Sequence, residues 1–289
     1  MDVWCFVRWR SLQGRLNLLL TGGSVSREVS AYAGGGINIK CRYEDEYKDK
    51  PKSFCKMGTH QWCFNPITTK LHSEWSHDGR FSIQDNRSFR VKIRELTVED
   101  TGTYHCGVDL PRVIDISTPV ELKVKEDLSY EKSISKTVHV GGDLNISCKY
   151  PQSLSSNPKF LCKSRLQDSA CSYKESVKES GKYVNEGKFS LYDDRETQMF
   201  TVSIRNVTEQ DSGEYWCGAE AAWTSDDGYK VYFTQINLTV TGEFVEAWRH
   251  VVSFSISEVP HIENVHCIVL PLCCYQSFTR FTHLMSFII

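Results

Sequence analysis

An internal repeat constrains this chain more than any other feature. The segment Ile37-Asn38-Ile39-Lys40-Cys41-Arg42-Tyr43 returns as Leu144-Asn145-Ile146-Ser147-Cys148-Lys149-Tyr150. Fourteen residues beyond each of these cysteines stands another, in Lys52-Ser53-Phe54-Cys55-Lys56 and in Lys159-Phe160-Leu161-Cys162-Lys163. A third segment, Phe89-Arg90-Val91-Lys92-Ile93-Arg94, matches Phe200-Thr201-Val202-Ser203-Ile204-Arg205, and each begins 17 residues before a further cysteine, Cys106 or Cys217. One module has been duplicated, so the two copies must share a fold.

That fold is all-β. Ile37/Ile39/Cys41, Phe89/Val91/Ile93, Leu144/Ile146/Cys148 and Phe200/Val202/Ile204 alternate with polar residues at period two, which gives each strand one buried and one wet face. Gly34 to Gly36, Asp78-Gly79, Gly141-Gly142 and Asp193-Asp194 punctuate the runs as turns. Short strands at this spacing predict two tandem sandwiches of about 100 residues each. The expected organisation is an irregular segment over 1–23, a first domain over 24–125, a second over 126–241 and a poorly specified tail over 242–289. Apolar pieces of the tail alternate with Pro260, His261, His266 and Arg280 without a helical or strand period.

Composition narrows the function. Lys+Arg 34 against Asp+Glu 36 leaves a net charge of −2, no footprint for nucleic acid. Twelve cysteines, neither CxxC pairs nor Cys/His clusters at zinc spacing, point to an oxidising compartment. Arg8, Arg10 and Arg15 interrupt the apolar start, which reads as a degenerate secretory signal, and the apolar run Cys267 to Tyr275 contains Pro271 and falls short of the ~20 residues a spanning helix needs. Membrane association is therefore expected only if another transcript supplies a spanning helix.

Asp100-Thr101-Gly102-Thr103-Tyr104-His105-Cys106 and Asp211-Ser212-Gly213-Glu214-Tyr215-Trp216-Cys217 each place a tyrosine two residues before the cysteine, the immunoglobulin tyrosine corner. The corner implies sheet-to-sheet disulfides Cys41–Cys106 and Cys148–Cys217. The extra cysteines Cys55 and Cys63, and Cys162 and Cys171, are spaced for a bridge between neighbouring strands; His60 lies between the first pair, but one histidine and two thiols fall short of four zinc ligands and the second copy has no counterpart. Cys5, Cys267, Cys273 and Cys274 stand outside this scheme.

With Arg80-Phe81-Ser82-Ile83, Asp85 and Tyr215-Trp216-Cys217-Gly218, these residues resemble the variable-type domains of the polymeric immunoglobulin receptor and its leukocyte relatives, over Val25 to Thr241. Two departures stand out. Phe54 and Leu161 occupy the position before the cysteine where the family usually has Trp, and the segment Glu44 to Lys50 does not show the family's immunoglobulin-binding loop. The resemblance implies ion pairs Arg80–Asp100 and Lys188–Asp211 at the sheet bottoms.

No Gly-x-Ser-x-Gly, His-Glu-x-x-His or phosphate-binding glycine loop is present, and His72 and His77 beside Trp75 read as surface residues, so neither a catalytic residue nor a cofactor nor a metal is assigned. Four sequons, at Asn86, Asn145, Asn206 and Asn237, are expected to be reachable for glycosylation. The expected function is that of a cell-surface immune receptor binding an extracellular protein or lipid ligand, immunoglobulin among them. The alternatives are a soluble secreted binding protein and a homophilic adhesion protein. Candidate ligand contacts are Trp223, Tyr229, Asp226 and Asp227 in the loop after Cys217, with Leu110 and Arg112 in the loop after Cys106. For Trp223 the competing reading is that the ring folds back onto its own sheet.

Overall fold

A computed structural model describes residues 27–242 apart from 59–62, 70–73, 87, 110–115, 166–167 and 226–227. The first copy consists of β1 (Arg27–Tyr32), β2 (Gly36–Cys41), β3 (Lys52–Met57), β4 (Cys63–Thr68), β5 (Ser76–Asp78), β6 (Phe81–Asp85), β7 (Phe89–Ile93), β8 (Gly102–Val108) and β9 (Ile116–Lys125). The second consists of β10 (Ser133–His139), β11 (Leu144–Lys149), β12 (Lys159–Arg165), β13 (Asp168–Tyr173), β14 (Tyr183–Glu186), β15 (Phe189–Asp194), β16 (Met199–Ile204), β17 (Gly213–Ala221) and β18 (Tyr229–Thr241).

Each copy is a two-sheet sandwich. In the first, β1-β9-β8-β3-β4 faces β2-β7-β6-β5; in the second, β10-β18-β17-β12-β13 faces β11-β16-β15-β14. The opening strands β1 and β10 run parallel to β9 and β18, while the other pairs are antiparallel. The period-two pattern of the sequence is kept: Leu144, Ile146 and Cys148 are buried on β11 while Asn145, Ser147 and Lys149 are exposed. Four disulfides lie at Cα separations of 5.9 Å (Cys41–Cys106), 5.5 Å (Cys55–Cys63), 6.5 Å (Cys148–Cys217) and 5.5 Å (Cys162–Cys171), within the range such bridges require. The first and third tie opposite sheets, and the other two tie β3 to β4 and β12 to β13.

Where the family usually has Trp, Phe54 stacks flat on the corner tyrosine Tyr104 at 5.2 Å, and Leu161 is buried in the second copy. Both corners are made as the spacing implies. Tyr104 Oη donates to the Asp100 carbonyl at 2.8 Å and Tyr215 Oη to that of Asp211 at 2.7 Å. Arg80 grips the Asp100 carboxylate through two hydrogen bonds of 2.7 and 2.8 Å, and Lys188 bonds Asp211.

The sequence did not announce how the copies join. The beginning of β18 pairs antiparallel with β2, Tyr229 opposite Ile39 and Tyr232 opposite Gly36, so one sheet of each copy continues into the other. Gly35 permits this approach, since a Cβ there would lie 2.2 Å from the Tyr232 carbonyl oxygen. The glycine run thus serves more than the turn expected of it. The segment between the copies, 126–132, also contributes to the core. Tyr130 is buried between Tyr32 and Phe233, its ring 6.3 Å from each, and Phe233 continues to Tyr150 at 5.9 Å.

Candidate functional site

In a sandwich of this kind the loops between the disulfide-bearing strands gather at the sheet ends and are free to vary. Two such loops, 42–51 and 150–158, are held by a device present in both copies. Lys52, at the start of β3, turns its ammonium inward: the side chain is 0% exposed and forms an ion pair with Asp85 at 2.8 Å. The same Nζ donates to the carbonyls of Tyr47 (2.8 Å), Lys48 (3.3 Å) and Lys50 (2.6 Å) and lies 4.0 Å from the centre of the Tyr43 ring. Tyr43 Oη donates to the other oxygen of Asp85 at 2.9 Å. Burial, then the bond to Asp85, pushes the Tyr43 hydroxyl up to about 12.

The second copy repeats the arrangement. Lys159 pairs with Asp193 at 3.3 Å with both side chains fully buried, donates to the carbonyls of Asn157 (2.7 Å) and Ser155 (3.3 Å), and sits 4.1 Å over the Tyr150 ring. Tyr150 Oη donates to Asp193 at 2.8 Å. Burial lowers the Lys159 ammonium to about 8 against the opposing pull of Asp193. A lysine with this set of partners fixes loop carbonyls in space, so each loop is shaped before any ligand arrives.

The loop after Cys217 has a different setting. Lys40, on β2 of the first copy, donates to the Trp223 carbonyl at 2.5 Å and to that of Ser225 at 3.3 Å, and its backbone N–H donates to the Gly228 carbonyl at 3.2 Å. The half-buried Trp223 ring lies 4.5 Å from Lys40 Nζ, 4.7 Å from Lys230 Nζ and 5.9 Å from the Arg90 guanidinium. The ring therefore neither projects freely as a loop contact nor folds onto its own sheet alone: the first copy supplies two of the three cations around it, Lys40 and Arg90. Tyr229 is half-buried and opens the β18 segment that pairs with β2.

Other aromatic side chains complete the junction. Tyr232, almost fully buried, bonds Tyr173 hydroxyl to hydroxyl at 2.5 Å and packs with Phe160 and Trp216. Lys230 is buried, paired with Glu220 at 2.9 Å and 3.8 Å from the centre of the Tyr173 ring. Lys92 lies 5.3 Å from the centre of the Tyr232 ring; burial, helped by neighbouring Arg94 and opposed by Glu214, lowers it to about 8.

Asp226, Asp227, Leu110 and Arg112 lie outside the described residues, as do His60, His72, Cys5, Cys267, Cys273 and Cys274. The four sequon asparagines Asn86, Asn145, Asn206 and Asn237 are exposed. The lysine cages escaped sequence reasoning because a lysine opening a strand reads as solvated. A signal was present nonetheless: Tyr43 and Lys52 recur as Tyr150 and Lys159 at unchanged distances from their cysteines.

Two sandwiches, each with a sheet-to-sheet disulfide, a tyrosine corner and a parallel opening strand, describe a variable-type immunoglobulin domain. The immunoglobulin V-set domain family matches residues 24–125 and again 131–241. The chain belongs to the immunoglobulin V-set family. Among relatives of these two V-set copies, the polymeric immunoglobulin receptor of Mus musculus is 25% identical over 206 residues, covering 69% of this chain and 26% of the relative. CMRF35-like molecule 6 of Mus musculus is 33% identical over 103 residues, covering 35% of this chain and 44% of the relative. Among solved structures, the teleost fish polymeric Ig receptor ectodomain is 23% identical with a TM-score of 0.32, covering 75% of this chain and 97% of that one. The V-set chain thus spans about a quarter of the length of the mouse polymeric immunoglobulin receptor it matches. No helix among the described residues is long and apolar enough to cross a membrane.

Proposed function

We propose that this chain is the recognition portion of an extracellular immune receptor and that it binds a protein ligand at the loop end of its V-set domains, by contact rather than by chemistry. The observation that carries this reading is the pair of lysine cages. A buried ion pair is a poor way to gain stability, because the desolvation cost offsets most of the attraction. Finding one in each copy, with the ammonium spent on loop carbonyls, supports a role in shaping those loops. Loop 42–51 is the better placed, since the loop after Cys217 in the second copy is occupied by its own neighbour. It carries Glu44, Asp45, Glu46 and Asp49 among Lys48 and Lys50 around a half-buried Tyr47, a mixed-charge rim with one aromatic side chain of the kind that anchors protein interfaces.

Polymeric immunoglobulin, the ligand named for the similar receptors, is the first partner to test; because residues 44–50 depart from the family's immunoglobulin-binding loop, contact here would rest on this loop's own mixed-charge rim and Tyr47. Surface plasmon resonance of the secreted full chain against polymeric and monomeric immunoglobulin is expected to show binding to the polymeric form. Tyr47→Ala should weaken that binding at least ~10-fold, the scale of an interface anchor. Absence of binding to either form would remove this ligand, and binding that Tyr47→Ala leaves unchanged would remove the loop.

A further inference from the structure

The outer face of the sheet β11-β16-β15-β14 differs in chemistry from every surface described so far. Its register sets Asn145, Ser203, Ser190 and Asn185 side by side in one row across the four strands, and Ser147, Thr201, Tyr192 and Tyr183 in another. None of these eight is charged, while the next row of the same face, Lys149, Met199 and Asp194, carries both signs. A groove of about 520 Å³ runs along the first row, with Asp143 and Arg205 at its end and Tyr183 at its far side. Tyr183 is 66% exposed, its ring 4.6 Å from that of Tyr192. Amides and hydroxyls that both donate and accept, next to an exposed flat ring, match the hydroxyls and the apolar face of a pyranose sugar.

The groove also holds the start of a sequon, Asn145-Ile146-Ser147, with Asn145 exposed. Among the described residues β11 pairs only with β16, so it is an open edge of the sheet.

We propose that Asn145 carries an N-linked glycan whose first sugars lie in this groove, across Ser203 and Asn185 toward Tyr183. The span is three strand spacings, roughly 14 Å, which a few linked sugars cover. The co-reactant is a lipid-pyrophosphate-linked oligosaccharide of the secretory pathway. The Asn145 amide nitrogen forms a bond to the anomeric carbon, the bond from that carbon to the pyrophosphate breaks, the lipid pyrophosphate leaves and the amide gives up one proton. So placed, the glycan covers this face from its β11 edge to β14 and leaves ligand binding to the loop end.

The inference rests on the extracellular reading above. Expressing the full chain behind a cleavable export leader in a mammalian secreting cell separates the two, because carriage no longer depends on the chain's own signal and no ligand is involved. Glycopeptide mapping is expected to find Asn145 occupied in most secreted molecules. Iodination of native protein should label Tyr183 at least fivefold faster after enzymatic deglycosylation than before, and Ser147→Ala should match the deglycosylated rate. Should Ser147→Ala fail to be secreted, the enzymatic comparison alone decides. An unmodified Asn145 in secreted protein, or equal Tyr183 labelling with and without the sugar, overturns the proposal.

Discussion

At the scale of single residues, the buried cations of this molecule are its least expected feature. Removing Lys52 would leave the buried Asp85 carboxylate without its cation and beside the Tyr43 hydroxyl, and breaking a buried pair from one side costs ~3 kcal/mol or more. Lys52→Met is therefore expected to lower the unfolding free energy by about that much, and Lys52→Met with Asp85→Leu to recover more than half of the loss. Urea denaturation of the three proteins checks this; a single variant costing under ~1 kcal/mol would show that the cage is structurally idle. Lys92 and Lys159 make a second prediction, about pH. Burial lowers both from the ordinary 10.5 to about 8, so the unfolded chain holds more protons than the native one between those values. Stability must then rise with pH across that window. Above pH 10 the sign reverses, because Tyr43, held at about 12, keeps its proton after the unfolded chain has lost it. With free thiols blocked, calorimetry should show a higher Tm at pH 9.5 than at pH 7.5, by at least ~2 °C, and a lower one at pH 11. A steady fall from pH 7.5 upward would contradict the burial of these lysines.

At the scale of elements, the strands and their bridges were legible in the sequence, and for one reason. Period-two alternation and cysteine spacing are local signals, and the repeat states each of them twice. What fixes β2 against β18 is not local: it needs Gly35 to lack a side chain, Tyr232 and Tyr173 to meet, and Lys40 to reach a loop 183 residues away. No spacing rule connects such positions. The cage was hidden for the same reason, since the acceptors of the Lys52 ammonium come from β6 and from a loop turn, and the Tyr43 ring closes it. Trp223 was read from the sequence as a loop residue offered to a ligand, while its surroundings are set in part by the other copy. Gly35→Ala tests this junction cleanly. Gly35 is not among the glycines with positive φ, so alanine does not conflict with its backbone, and the closest clash is with the second copy. Hydrogen exchange of Gly35→Ala should accelerate at amides of β2 and at residues 229–232 by at least tenfold, with β7 and β17 little changed. Uniform protection equal to the wild type would mean that the two strands are not paired in solution.

At the scale of the whole molecule, the disulfides differ in what they contribute. The Cys41–Cys106 bridge closes a loop of 65 residues and should contribute ~4 kcal/mol, against ~2.5 kcal/mol for Cys55–Cys63 with its separation of 8, in the chain-entropy description. Replacing both cysteines of the first pair by alanine should therefore lower the Tm more than replacing those of the second. The reverse order would assign the short bridges the larger structural role. Two V-set sandwiches joined by a continuous sheet and a shared aromatic core hold their loops on a fixed platform, which under the proposed function limits the ordering cost of binding. The most direct test of that account is hydrogen exchange of the full chain with and without saturating polymeric immunoglobulin. The account predicts new protection concentrated at residues 44–50, with the outer face of β11-β16-β15-β14 unchanged. Protection confined to that face, or an exchange pattern that the immunoglobulin does not alter, would contradict it.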